Sequence, residues 1–172
     1  EQMAGMLPHA AKPLALARLH AARERWPEAL DNAEHAIAAG AGTDARRIAA
    51  SAAQQLDDNA RGARTLLEVL DELTDEDTWR MIVMATAAED WDTVRKGAAK
   101  IGMPIKSTEG PIEEEMGLVR IVLPAPDGGR RQVLSIRTGP ATARLALPQP
   151  RGMEYNAGDL VVFDPQLLEP LP

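Results

Sequence analysis

The chain has 172 residues, 45% of them hydrophobic but only 3% aromatic, and its formal net charge is −7. That acidic balance argues against a general nucleic-acid or anionic-membrane surface, and the absence of cysteine excludes disulfides, Cys-ligated zinc and thiol catalysis. Much of the apolar content is alanine, so the core must be built by close backbone approach, as stacked helix pairs do.

Gly5, Pro8 and Pro13 among small residues predict a loose lead-in over 1–12. The chain opens on Glu1 rather than methionine, as a processed or truncated start would, and no charged-then-apolar leader is legible. Leu16, Ala17 and His20 then recur at helical spacing, Trp26 and Pro27 interrupt, and Ala29, Ala33, Ala36 and Ile37 resume the pattern. Proline suits a first helical turn because the amide it lacks would be unpaired there anyway. Two helices over roughly 13–24 and 27–39 are expected, stopped by Gly40 and Gly42.

A second pair opens at Thr43 or Asp44 as N-cap and carries Ile48, Ala49, Ala52, Ala53 and Leu56. It turns at Asp57-Asp58-Asn59 and returns through Ala63, Leu66, Leu67, Leu70 and Leu73. A third pair starts at Thr74-Asp75-Glu76-Asp77, where acids suit the positive end of a helix. It continues through Trp79, Ile82, Val83, Thr86 and Ala87, turns at Glu89–Asp92, and returns through Val94, Ala98 and Ile101. Trp26 and Ala29 map onto Ala60 and Ala63, about 34 residues on, so an alanine replaces the turn tryptophan in the second pair. Trp91 comes about three residues early for a strict repeat, which predicts a shortened turn between repeats.

The hairpin at 14–40 and this period resemble the tetratricopeptide repeat (TPR) family, and the resemblance covers about residues 10–103. It implies antiparallel helix hairpins whose first helices line a concave groove holding an extended peptide or a helix. The positions matching that lining are Leu14 and Arg18, then Ile48, Ala52 and Gln55, then Trp79, Val83 and Thr86. Some members clamp a terminal carboxylate with lysines and asparagines, whereas Leu14, Ile48 and Ala52 stand there in this chain. A mostly apolar lining needs a cover: a partner's helix, a second copy, or the chain's own C-terminal module.

Gly102, Pro104, Gly110 and Pro111 end the helical periodicity, so 13–103 reads as a repeat domain, 104–117 as a linker and 118–172 as a small β module. Strand-like runs occupy 118–123, 131–136, 141–147 and 160–163, with turn chemistry at Asp127-Gly128-Gly129 and Thr138-Gly139-Pro140. The fold class expected is α+β: helix hairpins, then a small antiparallel β-barrel or curled sheet. A module of this size is marginal alone and is expected to dock on the helices. Leu160, Val161, Val162 and Phe163 do not alternate, which predicts burial on both faces and places Phe163 at the interface, toward Trp91, Val94 and Ile101.

No candidate for chemistry outweighs a structural reading. His20 and His35 lie on partner helices, with Glu24 or Glu34 as nearest carboxylates, but no histidine pair has metal spacing. Trp26 and Trp91 read as wedges between helices, and Trp79 as a groove residue. Glu113-Glu114-Glu115 in a Pro/Gly segment reads as a solvated run. Arg120, Arg130, Arg131, Arg137 and Arg144 offer a basic strip on the sheet, without the interleaved aromatics that nucleic acid wants. The expected function is a non-catalytic protein-interaction scaffold without metal or cofactor, binding a protein or peptide, or a second copy, rather than nucleic acid or membrane. The alternatives are a small inhibitor acting through its acidic surface, and an enzyme with a site at the helix–sheet junction, where Arg120 or Asp159 faces Glu89. The cytoplasm is the expected location, and the periplasm suits a cysteine-free chain as well.

Overall fold

A computed structural model describes residues 8–150, 152 and 154–168. Six helices come first: α1 (Pro8–Ala22), α2 (Trp26–Ala38), α3 (Thr43–Gln55), α4 (Asn59–Leu67), α5 (Asp75–Ala87) and α6 (Trp91–Lys100). Each packs on the next, as helices joined by short connections do, giving a helical-repeat architecture packed against a small antiparallel sheet. The lead-in expected over 1–12 lies outside the described residues up to position 7, and from Pro8 the chain is already helical. Pro13 sits inside α1 rather than opening it. Ala10, Leu14 and Ala17 form a buried stripe at helical spacing, and their packing offsets the backbone bond that proline forgoes.

The repeat is most regular in its backbone turns. Glu24, Asp57 and Glu89 each follow the first helix of a pair with φ of 55°, 59° and 57°. Around each, the residue's own amide bonds back to a carbonyl three residues earlier and the next amide to one five earlier. These bonds satisfy carbonyls that a helix end leaves unpaired. Trp26, Asn59 and Trp91 therefore occupy equivalent positions as first residues of α2, α4 and α6, spaced by 33 and then 32 residues. The equivalent of Trp26 in the second pair is thus Asn59 rather than Ala60. Asp58, Thr74 and Asp90 cap the helices that follow them by accepting backbone amides at 3.2 Å.

Close approach replaces bulk in the core. A Cβ added to Gly97 of α6 would lie 2.6 Å from Ile82 Cγ1 of α5, and one added to Gly62 of α4 would lie 2.6 Å from Met84 Sδ. Around these crossings Leu66, Met81, Ile82, Met84, Ala85 and Val94 form the largest cluster. Two residues from beyond the helices complete it, Ile112 and Ala141.

Residues 104–117 are therefore not a free linker. Ile112 is buried among the helices, Glu114 and Met116 amides bond to the carbonyls of Thr138 and Arg137, and Glu114 Oε1 accepts the amides of Lys106 and Ser107 at 2.7 and 2.8 Å. Strands β1 (Leu118–Pro124), β2 (Arg130–Arg137), β3 (Thr142–Leu145) and β4 (Leu160–Val162) follow, all antiparallel and neighbouring in chain order. The sheet is open, with β1 and β4 as unpaired edges, so the barrel or curled sheet expected from the sequence is not formed. Strands of four and three residues at β3 and β4 are too short for the staggered register that closure demands.

One face carries Ile121, Leu123, Val133 and Leu145, over which Tyr155, Phe163 and Leu168 fold back. On β4, Leu160 and Val162 are 47% and 46% exposed while Val161 is half-buried. The final run is thus an edge strand wet on one side, not a strand buried on both faces. Its hydrophobicity reflects position at an edge whose outer face nothing in the described chain covers.

Candidate interaction surfaces

The residues matched to a concave lining do not form one surface. Leu14 is buried with Ala10, Ala36, Ala41 and Ala45, and Ala52 with Ala17, Ala29, Leu30 and Ala33. Thr86 is buried and donates its hydroxyl to the Ile82 carbonyl at 2.7 Å. These three serve helix–helix contact. Ile48 is half-buried against both alanine clusters, Arg18 and Gln55 are exposed, and Trp79 and Val83 pack partly on the main cluster. Small side chains let the helices close up, drawing positions that would line a wider groove into the contact between neighbours.

Polar bridges stitch successive units along the same helices. Arg18 of α1 pairs with Asp44 of α3, and Arg47 of α3 donates to Asp77 of α5 at 2.7 Å. Asp77 is buried and also accepts the Thr74 hydroxyl at 2.8 Å, so its charge is compensated twice. Arg80 of α5 reaches back to Ser51 of α3 at 2.9 Å. On the second helices, Arg61 pairs with Glu34.

At α5 the chain's own C-terminal segment arrives. β4 and the 3-10 turn Pro165–Leu167 both contact α5, and a cleft of about 280 Å3 there is lined by Arg80, Val83 and Leu167 among others. The contact is organised by Arg137. Its guanidinium lies 5.9 Å from the Trp79 ring centroid and 5.7 Å from that of Phe163. It donates to the carbonyls of Gly139 at 3.0 Å and Pro140 at 2.6 Å. Burial pulls the guanidinium below its ordinary pKa. Trp79 and Phe163 therefore meet through an arginine, and Phe163 is half-buried rather than a core residue. The deep part of the junction is filled by Ile112, Pro140 and Ala141, all buried. Of the residues named for an enzymatic reading, Arg120 lines a groove at β1, and Asp159 accepts the Asn156 amide at 2.7 Å.

The basic strip is divided. Arg137 faces inward and Arg144 pairs with Glu113 at 3.7 Å. Arg120, Arg130 and Arg131 are exposed, and their side chains form no ion pair or hydrogen bond among the described residues. The Glu113–Glu115 run is not simply solvated either, since Glu113 and Glu114 are both engaged. The Ser107 amide above all, with that of Lys106, holds the Glu114 carboxyl below its usual range, against the opposing effect of burial. His35 lies 3.4 Å from Asp31, one helical turn away. Among the described residues no three of His, Asp and Glu converge on a possible metal position, and no helix is long and apolar enough to cross a membrane.

The sheet face turned away from the folded-back segment exposes Leu118 (54%) and Val122 (50%) at one edge and Leu160 and Val162 at the other, with Leu134 and Ile136 half-buried between them and Arg120, Gln132 and Arg144 on the same face. Alternation along 118–123 signalled two faces, and the wholly apolar one, Val119, Ile121 and Leu123, is the covered one, while Leu118 and Val122 flank Arg120 on the exposed one. Compared with protein-family models, with curated proteins and with solved structures, the chain matches none.

Proposed function

We propose that this chain is a non-catalytic protein-interaction module in which the helical repeat is a rigid base and the sheet presents the contact surface. The observation that carries the reading is the set of exposed apolar residues on the uncovered sheet face, Leu118 and Val122 at one edge and Leu160 and Val162 at the other. Large apolar groups left exposed together on one face mark contact sites. The helical part is read as TPR-like, because its turns recur at 33 and 32 residues, near the ~34 of that family. Its concave side is a poorer binding face than the sequence implied. Its small residues are spent on packing, its Arg18–Asp44 and Arg47–Asp77 pairs are internal, and the segment after β4 lies against α5. An inhibitor acting through Glu113–Glu115 has less support, because two of the three carboxylates are held within the chain.

The test is affinity capture with the full chain against a Leu160→Thr/Val162→Thr variant. A partner recovered by the wild type and lost by the variant, at unchanged melting temperature, supports the reading. Capture indifferent to the variant, or no saturable partner, removes it.

A further inference from the structure

We propose that the outer edge of β1 accepts an extended acidic segment of another polypeptide as an added strand. The idea deepens the interaction reading above and rests on it. β1 is the outermost strand, and its outer edge makes no backbone hydrogen bond among the described residues. Seven residues long, it offers the longest free edge of the sheet, whereas β4 offers three. Natural sheets generally blunt such edges, and extended peptides pair with those left open.

A groove of about 750 Å3 is lined by Arg120–Pro124 of this strand, by Gly128–Arg130 of the turn after it, and by Val162–Asp164, Leu167 and Leu168. Successive side chains of an added strand point to opposite faces. Those on one face would lie beside Arg120 and Val122, and those on the other over Phe163, Leu167 and Leu168. An occupant with alternating character is therefore specified, apolar toward the leucines and charged toward Arg120.

The sign of that charge follows from the arginines. Of the five on the strands, the side chains of Arg137 and Arg144 are engaged within the chain, and those of Arg120 on β1 and of Arg130 and Arg131 at the start of β2 are not, Arg120 and Arg130 lining the groove. Two carboxylates lie close by, Asp164 and Asp127, each accepting a backbone amide at 2.9 Å, so the three arginines outnumber the acids. Free arginines on a chain of net charge −7 favour an acidic ligand. They also disfavour the obvious competitor, because two β1 edges of this chain paired together bring their arginines into one site.

The probe is a fluorescent peptide of about six residues alternating valine and glutamate, a typical strand length, titrated by anisotropy against the full chain. Saturable binding is expected, weakened about tenfold by Arg120→Glu and also by Arg130→Glu, each at unchanged melting temperature. The same peptide N-methylated at alternate amides is expected to bind about tenfold more weakly, since it cannot pair with the edge. Equal binding by the N-methylated peptide, by a valine–lysine peptide or by oligothymidylate overturns the proposal. So does a free chain that sediments as a dimer which Arg120→Glu tightens. If the peptide fails while capture still depends on Leu160 and Val162, the edge proposal falls and the interaction reading stands.

Discussion

Replacing Arg137 tests how the sheet is fixed to the helices. Its guanidinium supplies two bonds to carbonyls of the buried residues Gly139 and Pro140 and lies between the Trp79 and Phe163 rings. A hydrogen bond from a charged donor contributes about 1.5–3 kcal/mol, and an uncompensated buried acceptor costs about 1–3 kcal/mol. Each ring contact adds about 0.5–1 kcal/mol where solvent still reaches it. Opposing these is the desolvation that lowers the arginine's pKa. The balance places Arg137→Ala at about 3 kcal/mol of destabilisation, a melting temperature lower by roughly 6–12 °C for a chain of this size. Arg137→Lys keeps the charge but not the planar fork, so it cannot serve two carbonyls and two rings together, and about half the loss is expected. Urea unfolding followed by far-UV circular dichroism measures both. If both variants stay within about 0.5 kcal/mol of wild type, a range ordinary for surface substitutions, Arg137 does not hold the junction and the reasoning fails.

Ile112→Ala is expected to cost about 3–4 kcal/mol and Phe163→Ala about half as much, because the first is buried in the helix core and the second is half-exposed; equal losses in urea unfolding contradict that ranking. Gly97→Ala gains about 1 kcal/mol of helix propensity but drives a methyl to 2.6 Å from Ile82 Cγ1, so a net loss of about 1–2 kcal/mol is expected from overpacking; a raised melting temperature is the contrary result. For Glu114, a folded pKa below the ordinary one means its stabilisation is present above the ordinary glutamate value and lost as pH falls through the lowered one. Stability measured from about pH 6 down to about pH 3 should therefore fall less steeply in Glu114→Gln, and identical slopes count against the lock on Lys106 and Ser107.

The helix pairs were legible because alanine and leucine recur at helical spacing and because Thr74, Asp58 and Asp90 are ordinary caps. The register of the repeat was not. Its most constant feature is a left-handed residue at Glu24, Asp57 and Glu89, where glycine would have announced the turn. Spacing the units by the family's period of ~34 residues instead shifted the second by one residue, onto Ala60. The strands were legible to within two residues at each end from their aliphatic runs and turns. Closure was not, since it depends on strand length and register between distant segments, which alternation within one strand does not encode. The docking of Ile112 within the Pro/Gly-rich stretch at 104–117 was not legible for a related reason. Proline and glycine end a helix, yet they say nothing about whether Ile112 between them docks elsewhere.

The candidate site was hidden by the same economy that made the repeat legible. A chain rich in alanine brings its helices so close that Leu14, Ala52 and Thr86 are consumed in packing, and the first helices satisfy their charges with one another through Arg18–Asp44 and Arg47–Asp77. Recognition needs groups whose interactions the fold has not already satisfied. Among the positions matched to a groove lining, few carry such groups. In the sheet they are concentrated: Leu118, Val122, Leu160 and Val162 on one face, and Arg120, Arg130 and Arg131 toward one edge. The helices, Ile112 and Arg137 then act together as a foundation for a small four-stranded sheet, and in the function proposed above that foundation keeps its uncovered face and open edge in one geometry.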